Sequence, residues 1–476
     1  MSWIRRLVTL CGSLALVPLG ALLLPTSLAQ AATAGCADNG PWSREWDDYA
    51  VVGLPEGAGA VDIQTPHHHV QITEAGLGIT DPSGGFGTVV LVERLNQDGC
   101  ADLIVTAPGR AGSTGSIYLL FGSDAGFQPG DVHRIPAPAG AGNSWGTALA
   151  YADAADALAV GAPDTPLSPR GGGAVWLYPL EYGTGLPGRP VVVTQDSKGV
   201  PGKSEPGDRF GAALAARWNT VAIGAPGEAV GSKKEAGSVT VLDLLNGLSK
   251  YTALTVTQNS PGFATAAEAG DQFGAVLDAR SYLIAVGVPG ETIGRAKHTG
   301  MVSLFSVSLR GKVKKVYNYH QDSPGVPGAN ESGDRWGSAL GFGAYCSELD
   351  YALAVGAPYE DEGSVRDAGS ITILGAVPTK KLTKECTARV FAGSVYLPGR
   401  PQAGAHFGWS VRGGYFDPEE KPGDGTWVIG APGTEVNGVK DAGIVHKLLL
   451  GNRKARTSGP LGGPSAGQRY GRVLSG

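Results

Sequence analysis

The chain has 476 residues, 75 of them glycine, with 17% charged residues and a formal net charge of −5. Glycine at more than twice its usual share, no collagen period and no long 3.6-residue apolar pattern exclude a helical bundle or a collagen-like rod. The acidic balance argues against a nucleic-acid partner.

In chain order, Arg5 and Arg6 precede an apolar run from Leu7 to Leu24, and the triplets Ala29-Gln30-Ala31 and Ala32-Thr33-Ala34 follow. A charged head, an apolar middle and a small-x-small site predict a cleaved export signal over residues 1–34. A membrane anchor is the competing reading, opposed by Pro18, Gly20 and Pro25 and by the lack of a basic stop-transfer flank. Removing Arg5 and Arg6 with the leader takes the net charge from −5 to −7. Residues 35–476 are then expected as one secreted, monomeric domain without a transmembrane anchor. Lipid attachment at Cys36, in Thr33-Ala34-Gly35-Cys36, is the alternative. Four cysteines remain, Cys36, Cys100, Cys346 and Cys386, and an even number in an exported chain favours two disulfides. Proximity suggests Cys36–Cys100 and Cys346–Cys386, with three pairings open.

The next phrase, "YAVVGLP" ending at Pro55, is an apolar run closing on a proline turn. Similar runs end at Pro108, Pro163, Pro226, Pro289, Pro358 and Pro432. His67-His68-His69 follows the first of them; neighbours on a strand face opposite sides, so only His67 and His69 could share a metal, and a polar outer strand is the simpler reading. Then an aromatic-glycine pair appears at Phe86-Gly87. It recurs at Trp145-Gly146, Phe210-Gly211, Phe273-Gly274, Trp336-Gly337, Phe407-Gly408 and Tyr470-Gly471. A third phrase, as in "AGSVTVL" and "AGSITIL", alternates apolar and polar positions as a half-buried strand does. A fourth, such as "KYTALTVTQ", completes a unit of about sixty-three residues.

Seven units of four short strands predict an all-β fold, a seven-bladed β-propeller. The glycine after each aromatic is expected where inner strands crowd the axis, and the proline where strand pairing stops. The proline phrases and the aromatic-glycine pairs run out of phase. The segment from 48 to 73 lacks an opening strand and residues 469–476 supply one, so the two are expected to share a blade.

These phrases resemble the FG-GAP repeats of the integrin α-chain propeller and its secreted bacterial relatives, most closely from Phe210-Gly211 to Gly224-Ala225-Pro226 and from Phe407-Gly408 to Gly430-Ala431-Pro432. The resemblance implies a seven-bladed propeller with roles in adhesion or ligand binding, although a propeller is a scaffold that does not itself fix function. It also implies calcium in the hairpin between the first two strands of a blade, with oxygen ligands at alternate positions. "RLNQDGCAD" places Asn96, Asp98 and Asp102 at such positions, but Arg94 stands where the first ligand belongs. The loop reads as a degenerate site and a structural turn, with weak calcium binding as the alternative and no other cofactor expected. The acidic hairpin of Asp417, Glu419, Glu420 and Asp424 is differently spaced and reads as a solvated loop.

Two further loops recur in each unit. One carries an acid two residues past the proline, Glu228, Glu291 and Glu360; the other carries Asp208, Asp271 and Asp334 just before the aromatic pair. Repetition at fixed phase fits turn caps and loop salt bridges shared by every blade. It also fits a ligand surface on one face of a rigid scaffold. Tyr359, Glu360, Asp361, Glu362 and Arg366 break the repeat most and lead the candidates. Asn330-Glu331-Ser332 is a glycosylation sequon.

Two functions follow. The first is a secreted binding or adhesion module for an extracellular protein or glycan. The second is an extracellular carbohydrate-active hydrolase or lyase with its site on the propeller axis. No Gly-x-Ser-x-Gly elbow or His-Glu-x-x-His motif supports the second, so no catalytic residue is assigned.

Overall fold

Seven antiparallel sheets of four strands each follow one another along the chain. The computed structural model describes residues 50–474, apart from 57–58, 65–68, 80–83, 97, 110–114, 168–170, 264, 309–311, 345–350, 379–381, 383–385, 414–425 and 450–453. The expected leader, residues 1–34, lies outside the described residues. The sheets are the blades of a β-propeller, numbered 1–7 here in chain order.

Blade 4 shows how the sequence makes a blade. Its strands are Ala213–Arg217, Thr220–Ala225, Ser238–Asp243 and Thr252–Val256, paired in that order. The second is a continuous apolar run that is almost wholly buried, because neighbouring blades cover both its faces. It stops one residue before Pro226, whose ring nitrogen cannot donate to a ladder. The fourth lies at the rim, exposed at Thr252, half-buried along its middle and buried at Val256.

No single core exists. Seven apolar clusters each lie at a seam between two adjacent blades, with one aromatic of the repeated pair in each. Phe210, for example, packs among Val175 and Leu177 of blade 3 and Val221 and Ile223 of blade 4. Phe273 occupies the next seam and Trp336 the one after. The repeat therefore encodes interfaces as much as blades.

The glycines follow from the seams rather than from crowding at the axis. Gly211 and Gly274 adopt φ of 90° and 89°, a region open to glycine and costly for other residues. A Cβ on Gly224 would overlap the carbonyl oxygen of Gly274 in the next blade. The glycine of one proline phrase thus meets the glycine of the following aromatic pair. Only at the seam between blades 2 and 3 does a side chain, that of Thr106, take this place, packing beside Gly146.

Blade 1 joins the two ends of the described chain. Its strands are Ala50–Leu54, Ala60–Gln64, His69–Ile72 and Val473–Leu474, and Val52 and Gly53 pair with Leu474 and Val473. Buried Asp62 secures this closure. It accepts the Leu461 N–H at 3.1 Å and meets His69 at 2.6 Å, and Tyr470 also hydrogen-bonds to it. Gln64 donates to the Tyr470 hydroxyl. His69 therefore serves this network on a polar outer strand, while His67 and His68 lie outside the described residues.

Candidate functional site

The two recurring loops latch to one another at Phe273, Trp336, Phe407 and Tyr470. Arg335 N–H donates to the His298 carbonyl at 3.0 Å and Trp336 N–H to that of Thr299 at 2.8 Å. His406 and Phe407 repeat this against Asp367 and Ala368. The latch holds the residue before the aromatic in the left-handed region in the later blades, with φ of 53° at both Arg335 and His406. Such a backbone costs energy for a branched side chain and persists only where surroundings impose it.

The recurring acids serve these loops from within. Asp208, Asp271 and Asp334 are buried, and each accepts the backbone N–H three residues before it, from Glu205, Glu268 and Glu331. Glu228, Glu291 and Glu360 accept a side-chain amide from Gln195, Gln258 and Gln321. Burial, reinforced by the nearby Asp208 and Asp271, pushes the Glu228 and Glu291 carboxyls up to about 7 and about 8. Burial and then Glu360 hold Asp334 at about 7.

Blade 6 departs from this pattern. Arg389, on the outer strand Thr387–Val390, reaches Glu360 at 2.7 Å and Glu362 at 2.6 Å. One guanidinium thus clamps two of the candidate acids inside the blade. The other three, Tyr359, Asp361 and Arg366, line an open cavity of about 430 Å³ with His298, Glu331 and Arg335. A comparable cavity of about 490 Å³ occurs at blade 7, lined by Gln402, Gly433, Glu435, Lys440 and Asp441.

Unlike the blade 7 cavity, the blade 6 cavity borders an aromatic shelf. Tyr359 stands where blades 4, 5 and 7 have Gly227, Gly290 and Gly433. Its ring meets His406 edge-on at 5.1 Å and Trp409 at 6.2 Å, and the Arg335 guanidinium lies 5.5 Å from its centroid. Trp409 occupies a position that is Thr88, Thr147, Ala212, Ala275 or Ser338 in earlier blades. Its bulk at a small-residue position was the available signal for this site, and the sequence reading passed over it. Arg389 and His406 were missed as well.

The FG-GAP repeat family matches residues 86–120. This is a β-propeller carrying an FG-GAP repeat. Phosphatidylinositol-glycan-specific phospholipase D from Homo sapiens and from Rattus norvegicus is 36% and 33% identical to this chain over 114 residues. That stretch takes in 21% of this chain and 14% of each of those proteins. A periplasmic gluconolactonase structure from Pseudomonas aeruginosa aligns over 90% of this chain and 98% of its own, at 13% identity and a TM-score of 0.48, too slight a likeness to argue from.

The hairpin of the matched FG-GAP repeat spends its oxygens on its own backbone. Asp102 is buried, and its two carboxylate oxygens accept the N–H groups of Leu95 at 2.6 Å and Gly122 at 3.0 Å. Asp98 accepts from Cys100 N–H at 2.7 Å and from the Asn96 amide at 3.0 Å. Arg94 points into solvent. Among the described residues no three His, Cys, Asp or Glu side chains converge as metal ligands would. Asp417, Glu419, Glu420 and Asp424, like Cys36 and Cys346, lie outside the described residues. No described helix is long and apolar enough to cross a membrane.

Proposed function

We infer that the FG-GAP propeller is an exported binding module that takes an extracellular glycan at the blade 6 cavity. The observation that carries this reading is the shelf of Tyr359, His406 and Trp409 beside Arg335, Asp361 and Arg366. Aromatic faces offer apolar contact for the C–H surface of a sugar ring, and convergent charged groups orient its hydroxyls. The shelf stands on a rigid scaffold, where an aromatic replaces the glycine that follows the proline in blades 2, 4, 5 and 7. The two phospholipase relatives are named for a glycan-bearing lipid, which is in keeping with this ligand class. Export through the leader at residues 1–34, and disulfides Cys36–Cys100 and Cys346–Cys386, belong to the same reading. The bonded state of Cys100 and Cys386 supports the latter.

A glycan array probed with the mature protein, in calcium and in EDTA, tests the proposal. Specific binding that is lost in Tyr359→Ala and in Trp409→Ala is the expected result. Signal no higher than background on every glycan, or binding indifferent to both changes, would sink it.

A further inference from the structure

The cavities at blades 6 and 7 carry the same chemistry twice. With Pro358 set against Pro432, Asp361, Arg366 and Asp367 of the first correspond to Glu435, Lys440 and Asp441 of the second. All six line their cavities. Acid, base and acid therefore recur one blade apart. Blade 4 has Ala229, Lys234 and Glu235 at these positions, and blade 5 has Thr292, Lys297 and His298. The turn itself does not require the first acid. Blades 4 and 5 close it without one, through Val230 with Lys233 and Ile293 with Ala296.

A single wall separates the two cavities. Arg366 and Asp367 line the blade 6 cavity, and their carbonyls accept the N–H groups of Gly404 at 3.0 Å and His406 at 3.1 Å. Gln402 and Ala403, just before them in the chain, line the blade 7 cavity. Gln402 is fixed there, accepting the Glu435 N–H at 2.8 Å and donating to the Glu435 carbonyl at 3.3 Å. The shelf stands at this wall. Tyr359 lines the first cavity, and its ring meets His406, itself part of the wall and 5.8 Å from Trp409.

One cavity beside an aromatic ring would suffice for a terminal sugar. Two equivalent cavities joined at an aromatic platform suit a ligand whose own chemistry repeats. The charges narrow it further. With buried Asp334 set aside, Glu331, Asp361 and Asp367 stand against Arg335 and Arg366 in the first cavity, and Glu435 and Asp441 against Lys440 in the second. An excess of carboxylates in both opposes a polyanion.

We propose that the FG-GAP propeller binds a linear, uncharged polysaccharide along its chain, one sugar ring on the shelf and its neighbours in the blade 6 and blade 7 cavities. This rests on the glycan reading of the shelf, and adds to it the polymer and the second cavity.

Calorimetry of the mature protein with cello-, chito-, xylo- and manno-oligosaccharides of one to six residues tests it. In one of these series affinity should climb by about tenfold or more from monosaccharide to hexasaccharide. Lys440→Ala and Asp441→Asn, both at exposed positions, should each flatten that climb, weakening the hexasaccharide about fivefold. A hexasaccharide held no tighter than its monosaccharide, or parental hexasaccharide affinity in both variants, overturns the proposal. So does hexagalacturonate bound more tightly than every neutral hexamer, or an absence of binding in all four series. If the glycan array nonetheless gives specific signal that Tyr359→Ala abolishes, the shelf stands and only the polymer falls. An array with no specific signal sinks the shelf, and this inference with it.

Discussion

The Cα of Gly224 in blade 4 sits against the carbonyl oxygen of Gly274 in blade 5, leaving no room for a Cβ between them. The same meeting recurs for Gly161 with Gly211, Gly287 with Gly337, and Gly356 with Gly408. Gly224→Ala should therefore push two blades apart and lower stability by about 1–3 kcal/mol, the usual cost of forcing an extra carbon into a packed contact. Urea denaturation measures it, and a change near zero would refute the seam as the reason for the glycine. Thr106→Gly, at the one seam that accommodates a side chain, should instead cost through lost packing.

Much of this arrangement was legible in the sequence. Seven aromatic-glycine pairs and seven proline phrases named the blades, and their phase offset named the shared one. The pattern could not say that Gly224 faces Gly274, because a repeat records which residue recurs and not which neighbour it meets. The acids of the loops show the same limit. Asp208 recurs at fixed phase whether it caps a backbone N–H or faces a ligand, and only its burial separates the two. Trp409 was detectable as a large residue at a small-residue position.

Arg389 joins Glu360 and Glu362 within blade 6. Arg389→Ala should destabilise by about 3 kcal/mol, since it strands two largely buried carboxylates. Arg389→Lys should recover only part of that loss, because an ammonium cannot hold both carboxylates as the fork does. Full recovery by lysine, in chemical denaturation at pH 7, would contradict the clamp.

The buried acids predict an unusual pH profile. Glu93 and Glu291 at about 8, Glu228, Asp102 and Asp334 at about 7, and Asp208 and Asp278 at about 6 all lie above their unfolded values. Between about pH 5 and pH 8 the folded state therefore binds more protons than the unfolded one, and stability falls as pH rises. His446 works from the other side. Burial lowers it to about 4, so the unfolded chain takes up its proton first, and stability falls as pH drops through the mid-6 range toward 4. Seven acids outweigh the one histidine, so melting temperatures should rise as pH falls from about 8 to about 5. Glu291→Gln should flatten the alkaline limb, and a Tm that climbs steadily from pH 5 to pH 8 would contradict this assignment.

Asp62 ties the Leu461 backbone, His69 and Tyr470 into blade 1. Asp62→Ala leaves buried donors unpaired and should cost about 1–3 kcal/mol. Deleting residues 469–476 should have a larger effect, with limited proteolysis cutting first between Ala50 and Ile72. If that segment is cut no sooner than the other blades, the closure contributes little.

The pairing of Val52 with Leu474 also sets an order of events during synthesis. Blades 2 to 7 can each complete their own sheet as the ribosome releases them, from contacts close in sequence. Blade 1, which precedes the other six, keeps an open edge until the strand Val473–Leu474 arrives. Throughout translation its strand Ala50–Leu54 is the place where a neighbouring nascent chain could pair in error, and the ring becomes safe from that only when Val473 and Leu474 settle beside it.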